Sequence, residues 1–409
     1  MIKNLIIGSS FSCLGGALAF VKKKEKATII LGCAPKKIDE VFDMKLPTRN
    51  WSLYENNIKT AFHVSNFNVN KKYNFISYLG PGGLSNIWGK IINENVAFSR
   101  NIINSLIKKL KIKITKNLIF KKYISLYEFN NFVSNPIKIL KKYPKKISII
   151  KNVYVVKINY DYKKKSFILF LSDATNIRCK KLYLASGIFS SISLIKSLFK
   201  NNFNKKNINI SHNNLLYGFS LINRNYFIKN SINKFHNYYY FDNSYKKFCG
   251  RISILNNKII RKYNLNFFFK IIFRLSIFLG HKVLILNLMY KRKNNTTKIM
   301  VDKKKFFFQA KYDNNKKIIT LAKNMLSNCF KSNFYFPFKS RIGSDFHYSA
   351  NILKNINFTY KNKSMLKKLF ILDSSCVKNK PFFPVFFYII NSYYRVFNNI
   401  HLLKLSKII

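Results

Sequence analysis

The stretch Leu5–Gly16 reads LIIGSSFSCLGG and is followed, after a short polar turn, by the apolar run Ala27–Leu31. A buried strand that leads through a glycine turn into a helix of small residues is how dinucleotides are held, because the helix N-terminus faces the pyrophosphate. The order of these signals predicts a βαβ unit over residues 3–31. A secretory signal peptide is the alternative, since Lys3 precedes an apolar stretch. The strand-like run at 27–31 favours the βαβ unit.

Two departures weaken the dinucleotide signature. Against the spacing GxGxxG, Gly8 fits the first position, whereas Ser10 and Cys13 fill the second and third. Both residues are small, so a ligand can still approach, with less clearance. The acid expected after the second strand, which would bind ribose hydroxyls, is absent because Leu31 and Gly32 occupy that place. This motif alone leaves a cofactor site and a purely structural turn open.

A second glycine-rich segment, Leu79–Gly89, reads LGPGGLSNIWG. The chain has only 13 glycines and 2 tryptophans, so packing alone is a weak explanation for a run that concentrates both. Glycines let the main chain pass close to a flat ligand, while serine and asparagine can hydrogen-bond its polar edge. The residues predicted to contact such a ligand are Gly82, Gly83, Ser85, Asn86 and Trp88. A bare loop is the alternative.

The run GGLSNIWG after an amino-terminal βαβ unit resembles the flavin-contacting segment of glucose-methanol-choline (GMC) type FAD-dependent oxidoreductases. Among them, the short bacterial relatives linked to sugar and surface-polysaccharide metabolism are the most similar in pattern. Further segments resemble the family's in the same order, at 152–158, 181–194 and 371–395. The resemblance covers residues 1–34, 75–100, 145–200 and 340–400.

The resemblance implies FAD as the cofactor and gives roles to residues in the later segments. It implies that the main chain of Val155 meets the adenine and that Asp373, with Ser374, lies near the ribityl chain of the flavin. It also implies that Ala185 and Gly187 are the Ala-x-Gly turn that, in this family, connects a strand to a helix of small residues in the cofactor site. In the first segment, the implied cofactor contacts are Gly8, Ser10 and Cys13.

The resemblance also places a catalytic base on His347, within the run GSDFHYS at 343–349. In such enzymes the histidine takes the hydroxyl proton of an alcohol while hydride leaves the same carbon. Imidazole suits this role because its unperturbed pKa of ~6.5 lies near working pH. A histidine hydrogen-bonded in a loop is the alternative. Many family members carry a second His or Asn further on, but Lys380–Val385 contains none, and Asn391 is interpreted as a capping or packing residue.

The chain has 409 residues, with 74 Lys and Arg against 14 Asp and Glu, so its formal charge is +60. Mechanisms built on carboxylate pairs or acidic metal cages therefore have few candidates. The basic residues run from end to end, and Lys, Ile, Phe and Tyr are inflated together, which favours drift in base composition over a selected polyanion-binding surface. We expect no specific nucleic-acid partner, and at most a weak peripheral contact with a membrane or polyanion. The six cysteines form no CxxC pair, so we expect reduced thiols, no metal site and a cytoplasmic location.

The expected fold class is α/β, with a Rossmann-like FAD-binding domain of parallel strands and helices and a substrate domain with a mostly antiparallel sheet. The expected divisions are 1–200 for the first part of the FAD-binding domain, 201–340 for the substrate or cap domain, and 341–409 for the C-terminal part. Apolar spacing predicts amphipathic helices over 102–142 and paired strands at 153–158 and 167–171.

The expected function is an FAD-dependent oxidoreductase that transfers hydride from the CH–OH group of a sugar or other alcohol to the flavin, with His347 as base. A small-molecule alcohol or sugar is then the substrate. One alternative is a non-catalytic or weakly FAD-binding relative that acts as a binding or scaffold protein. The other is a basic polyanion-binding protein.

Overall fold

The computed structural model describes residues 1–32, 136–199, 349–359, 362–377 and 385–408. It also describes separate stretches of the remaining chain, at 67–68, 91–93, 112–115, 126–129, 208–211, 214–223, 237–241, 248–255, 267–290, 297–302, 305–309 and 336–339, with a few residues between 319 and 335.

The described strands and helices alternate at both ends of the chain and are mostly strands in the middle. The strands are β1 Ile2–Ile7, β2 Ala27–Ile30, β3 Phe67–Asn68, β4 Ile91–Asn93, β5 Ile112–Thr115, β6 Leu126–Phe129, β7 Ile147–Ile150, β8 Val155–Asp161, β9 Ser166–Leu171, β10 Asn176–Leu184, β11 Ile208–Ser211, β12 Asn214–Asn223, β13 Asn237–Phe241, β14 Phe248–Leu255, β15 His281–Tyr290, β16 Thr297–Asp302, β17 Lys305–Gln309, β18 Phe336–Lys339, β19 Ser349–Ala350 and β20 Leu369–Ile371. The helices are α1 Phe11–Lys22, α2 Pro136–Leu140, α3 Ile188–Leu198, α4 Phe267–Phe278, α5 Lys363–Leu366, α6 Val385–Phe397 and α7 Leu402–Ile408.

The main sheet has seven strands in the order β7-β2-β1-β10-β9-β8, with β20 also paired to β10. Strands β7, β2, β1, β10 and β20 run parallel, as expected for a Rossmann-like sheet. The hairpin β8–β9 is antiparallel and joins the first half of β10, while β20 joins its second half at Leu182–Leu184. The predicted βαβ unit at 3–31 and the predicted strand pair at 153–158 and 167–171 are confirmed.

Helices cover both faces of this sheet. Side chains alternate along β1, so Leu5 and Ile7 face one apolar cluster, to which α3 and α7 contribute, while Ile6 faces the other. The second cluster is completed by α1, α2 and α6. Residues 5–21, for which the sequence left a signal peptide open, form the second half of β1 and nearly all of α1, and they are largely buried.

Helices α1 and α6 lie unusually close to each other at Gly15. A Cβ built on Gly15 would collide with the carbonyl oxygen of Ile389 and the hydroxyl of Ser392, and would lie 2.8 Å from the Ile389 carbonyl carbon. The helix crossing therefore requires the absence of a side chain at this position.

The remaining sheets are mostly antiparallel, as predicted for residues 201–340. One has the order β13-β14-β15-β12-β18, the second β19-β11-β16-β17-β3 and the third β4-β6-β5. In the second sheet β3 runs parallel to β17, while the other pairs are antiparallel. Because β3 and β19 lie outside 201–340, this sheet joins segments from both sides of that region, and the domain boundaries stay a prediction.

The prediction of helices over 102–142 is wrong at two places. Residues Ile112–Thr115 and Leu126–Phe129 are strands that pair with each other, with Ile112 opposite Phe129. The sequence IKIT alternates with a period of two, and cross-strand pairing decided the outcome where lysine-rich spacing also fitted a helix. Within the described part of that region only Pro136–Leu140 is helical. No helix among the described residues is both long enough and apolar enough to cross a membrane.

Candidate functional site

The candidate site lies at the edge of the main sheet where its parallel strands end. Gly8 follows β1, residues 185–187 follow β10, and residues 372–374 follow β20. Main-chain bonds hold these ends in line: Gly8 N–H donates to Ile30 O (2.9 Å), Ala185 N–H to Ile7 O (2.8 Å) and Leu372 N–H to Leu184 O (2.7 Å). Ligands of open α/β sheets bind outside the carboxyl ends of the strands. The structure therefore brings five predicted site residues to one edge, namely Gly8, Ala185, Gly187, Asp373 and Ser374.

Gly8 is required by its backbone and by its neighbours. Its φ is +130°, a region that residues with side chains rarely adopt. A Cβ at this position would collide with the carbonyl oxygen of Ala185 and lie 2.9 Å from Ser186 N. The first glycine of the sequence motif thus lets the β1–α1 turn pass directly over the end of β10.

The N-terminus of α1 opens onto this edge, and neither a capping side chain nor an acidic residue lies at its positive end. The N-cap residue Ser10 has extended backbone and makes no side-chain capping bond, and the first turn contains no acidic residue. The first N–H groups of a helix have no intrahelical acceptor, and the helix dipole favours negative charge there. An anionic ligand group would satisfy both conditions.

Cys13 occupies the third motif position as a packing residue. Its side chain is fully buried in the cluster that joins α1 to the sheet, and burial raises the pKa of the Cys13 thiol far above its usual range. Close helix–strand packing is also the function of the third glycine in the dinucleotide fingerprint. A contact between Cys13 and a cofactor stays a prediction. Within the described part of the chain, no three His, Cys, Asp or Glu side chains are grouped as metal ligands.

Asp373 is buried and ties the end of β20 to the start of α3. Its Oδ2 accepts hydrogen bonds from Gly187 N–H (3.1 Å) and from the hydroxyl of Ser191. Its Oδ1 accepts from the N–H (3.0 Å) and hydroxyl (2.6 Å) of Ser375. Burial raises the pKa of Asp373, against the lowering effect of the Ser191 and Ser375 hydrogen bonds. The carboxylate is thus occupied by the protein's own donors, and its predicted contact with a ribityl chain stays a prediction.

Arg395 of α6 holds the same segment from the other side. Its guanidinium is buried and donates to Ile371 O (2.5 Å) and Cys376 O (3.2 Å), which flank residues 372–375. Burial lowers the pKa of Arg395, and its charge also favours the ionised form of Asp373. Arg395 and Ser375 lie within the family-like segment 371–395, but neither was predicted to have a role. A signal was present in the sequence: Asp373, one of the few acids of the chain, directly follows a buried strand and is followed by two serines.

Some buried polar atoms without partners lie in the two segments that bond to residues 371–376. Ser349 Oγ, both amide atoms of Asn351 and Nδ2 of Asn391 are buried and have no hydrogen-bond partner. Residues 349–352 are joined to 374–377 through main-chain bonds, including Ala350 N–H to Ser374 O (3.0 Å). Asn391 lies one helical turn before Arg395 on α6. Buried polar groups normally have partners, so these atoms are available donors and acceptors for a ligand.

Other predicted site residues are distributed differently. Val155 begins β8, an edge strand of the main sheet, and pairs with Leu171. Leu31 and Gly32, rather than an acid, follow β2. Leu31 is buried, and Gly32 has a φ of +87°. Predictions for Gly82, Gly83, Ser85, Asn86, Trp88 and His347 concern residues outside the described ones.

Comparison with known proteins gives a result for the fold. No protein-family model and no curated protein sequence matches the chain. A formate oxidase of Aspergillus oryzae RIB40, studied for its FAD modification, superposes with a TM-score of 0.56 at 11% identity over 100% of this chain and 98% of its own. The pyridoxine 4-oxidase of Mesorbium loti superposes with a TM-score of 0.57 at 8% identity over 97% of this chain and 99% of its own.

The chain has a GMC-like fold. The resemblance seen in the sequence is confirmed at that level, and the expected combination of a Rossmann-like sheet with separate antiparallel sheets is confirmed with it. At these identities the likeness shows the fold alone. It gives no support to the narrower relation with bacterial enzymes of sugar and polysaccharide metabolism.

Proposed function

We propose that this protein is an FAD-dependent oxidoreductase that oxidises the CH–OH group of a small alcohol. The observation that carries the proposal is the convergence of the α1 N-terminus, the Gly8 turn and the segments 185–187 and 373–375 at one sheet edge. This edge belongs to a fold that spans nearly the whole length of a formate oxidase studied for its FAD modification.

The residues at this edge fit a dinucleotide in charge and shape. The positive end of α1 suits a diphosphate, and Gly8 lets the β1–α1 turn lie directly against the end of β10. The unpartnered polar atoms of Ser349, Asn351 and Asn391 suit hydroxyls or the polar edge of a ring. Because Leu31 replaces the ribose-binding acid, we expect weaker affinity than in a chain that carries this acid.

FAD, when bound, supplies an acceptor for the hydride that leaves the alcohol carbon. The protein's part is to orient the alcohol and to take its hydroxyl proton, which we assign to His347 as base. The carbon thereby loses one hydrogen as hydride and the oxygen loses one as a proton, so the product is a carbonyl compound. For the substrate class we propose a sugar or related polyol, on the sequence resemblance alone.

Flavin content tests the cofactor part of the proposal. The purified protein should take up added FAD and show the visible absorbance of an oxidised flavin. Gly8→Ala should abolish this uptake, because its Cβ meets the Ala185 main chain. Gly280→Ala is the matched control, since Gly280 also has positive φ (+81°) but no atom within 4 Å of a Cβ. A folded wild-type protein that never binds FAD would end the proposal.

Flavin reduction tests the chemical part. A panel of sugars and polyols is added without oxygen, and bleaching of the flavin absorbance reports hydride transfer. His347→Ala should keep the flavin and lose at least about a hundredfold in reduction rate, because general base catalysis contributes ~10²–10⁴. His281→Ala, at the start of β15, serves as the control. Equal reduction rates in His347→Ala and wild type contradict the assignment of the base.

A non-catalytic relative that acts as a binding or scaffold protein is the second candidate. Two observations favour it: the missing acid at Leu31 and the missing second His or Asn at 380–385. Ser10→Gly discriminates, because Ser10 lies at the helix N-cap whereas Cys13 is embedded in the core. A strong rise in FAD affinity on this change, with no reduction by any alcohol, would establish the second candidate.

A further inference from the structure

Helix α4, Phe267–Phe278, has a buried face and an apolar exposed face. Phe273 and Ser276 are buried, and the centroid of the Phe273 ring lies 4.4 Å from that of Phe219 on β12. Large apolar side chains project on the opposite side into solvent, with exposed fractions of 40% for Ile271, 54% for Leu275, 87% for Phe278 and 71% for Leu279.

These four residues form one continuous stripe, called the α4 stripe below. They follow Ile271 at intervals of four, seven and eight positions, which places them on one face of a helix with 3.6 residues per turn. The water-facing side of a helix in a globular protein is normally polar. The α4 stripe inverts this rule at its most exposed residues, which stand at the turn into β15.

Two basic residues of α4 accompany the α4 stripe. Arg274 is exposed beside it, and Lys270 precedes Arg274 by one helical turn. Between Asp242 and Asp302 the sequence contains 13 Lys and Arg residues and neither Asp nor Glu. The stripe therefore combines aromatic and aliphatic side chains with positive charge that no nearby acid in the sequence neutralises.

We propose that the α4 stripe inserts into the surface of a lipid bilayer that contains anionic lipids. Amphipathic helices with Phe and Leu on one side and basic residues alongside lie in the interface plane, and juxtamembrane Lys and Arg are attracted to anionic headgroups. At 12 residues, α4 is too short to span a bilayer, so the contact is peripheral. The inference is independent of the proposed enzymatic function.

The charge argues for this occupant over two others. A second copy of the chain would bring an equally cationic stripe and a further charge of +60 against the first, and like charges oppose association. A nucleic acid would account for Arg274 and Lys270 through phosphate contacts but gives no role to an 87% exposed Phe278. An anionic membrane uses both properties.

Vesicle sedimentation tests the proposal on the full-length protein. Vesicles of phosphatidylcholine with about one third phosphatidylglycerol are compared with pure phosphatidylcholine, and we expect roughly tenfold or greater preference for the anionic vesicles at low salt. Phe278→Ser combined with Leu279→Ser should weaken binding at least about tenfold, because two large apolar side chains lose their insertion. Lys270→Gln combined with Arg274→Gln should reduce the preference for anionic vesicles.

Val156→Ser is the matched control, since Val156 is 55% exposed on β8 and should not affect vesicle binding. Circular dichroism and the thermal midpoint confirm that each variant is folded. Three results overturn the proposal: no preference for anionic vesicles, unchanged binding by the Phe278 and Leu279 variant, or a wild-type dimer in light scattering that this variant dissociates. The third result assigns the stripe to a second copy of the chain.

Discussion

Asp373→Asn should destabilise the protein strongly although it preserves the shape of the side chain. Both carboxylate oxygens of Asp373 accept a main-chain N–H, from Gly187 on Oδ2 and from Ser375 on Oδ1. The NH₂ group of Asn cannot accept a hydrogen bond, so in either orientation it faces a main-chain donor that cannot turn away. The same mismatch arises whether the native carboxyl carries a proton or not, because an amide nitrogen replaces an acceptor in both cases.

The expected loss in the free energy of unfolding follows from the number of polar groups that Asp373→Asn leaves without a partner. One main-chain N–H and one amide N–H become buried and unsatisfied, and each costs ~1–3 kcal/mol, so the free energy of unfolding should fall by about 2–6 kcal/mol. Urea titration followed by circular dichroism measures this change. Hydrogen exchange of the Gly187 and Ser375 amides identifies its location, because at least one of them should lose protection.

Asp173→Asn is the matched control. Asp173 also accepts an N–H (3.1 Å) and a hydroxyl (2.7 Å) from the residue two positions later, Thr175, but both bonds reach one oxygen, Oδ1, in an exposed turn. Asn can keep that acceptor and turn its NH₂ group to water, so the urea midpoint should not change. If the free energy of unfolding of Asp373→Asn lies within about 0.5 kcal/mol of wild type, then Asp373 does not depend on both of its oxygens as acceptors.

Two further predictions concern α1 and α7. Gly15→Ala should lower the free energy of unfolding by about 1–3 kcal/mol, because the methyl group meets the Ile389 main chain. The methyl group of Gly16→Ala has the movable Leu372 side chain as its nearest neighbour (2.6 Å), so this variant should be near neutral. Equal urea midpoints for the two variants would contradict the close helix crossing. Burial, together with Lys404, Lys367 and Lys181, lowers the pKa of His401, whose Nδ1 accepts from Lys404 N–H at the start of α7. Because the folded pKa lies below the unfolded one, this stability is present above pH ~6.5 and is lost as the pH falls below it. The thermal midpoint should therefore drop as the pH is lowered from neutral through ~6.5, and the thermal midpoint of His401→Asn should drop less.

The first βαβ unit was predictable from the sequence because its signals are local. The apolar run, the glycine turn and the small-residue helix each act within a few residues of one another. The role of Gly15 was not predictable in this way. The dinucleotide spacing singles out Cys13 at its third position, whereas the tightest contact of α1 lies at Gly15, against a helix that begins at Val385. A contact between such distant segments does not change the hydrophobic periodicity of either segment, so the sequence gives no local signal of it.

The candidate site shows the same division. The glycine-turn motif indicated Gly8, and the family resemblance implied Ala185, Gly187 and Asp373. It did not indicate the unpartnered atoms of Ser349 and Asn351, because a polar residue has an ordinary appearance in a sequence until its neighbours are known. The error at 112–115 and 126–129 has a similar origin, since the strand partner decided the conformation.

The close crossing of α1 and α6 also bears on how the chain is made. Gly15 and Ile389 are 374 positions apart, so at ~5–20 residues per second the ribosome needs roughly 20–75 s to supply the helix that covers α1. During that time the apolar side of α1 has no permanent cover, which exposes the nascent chain to aggregation. A strong net charge keeps such intermediates apart in solution. The +60 charge would then serve the protein during its synthesis, before any site has formed.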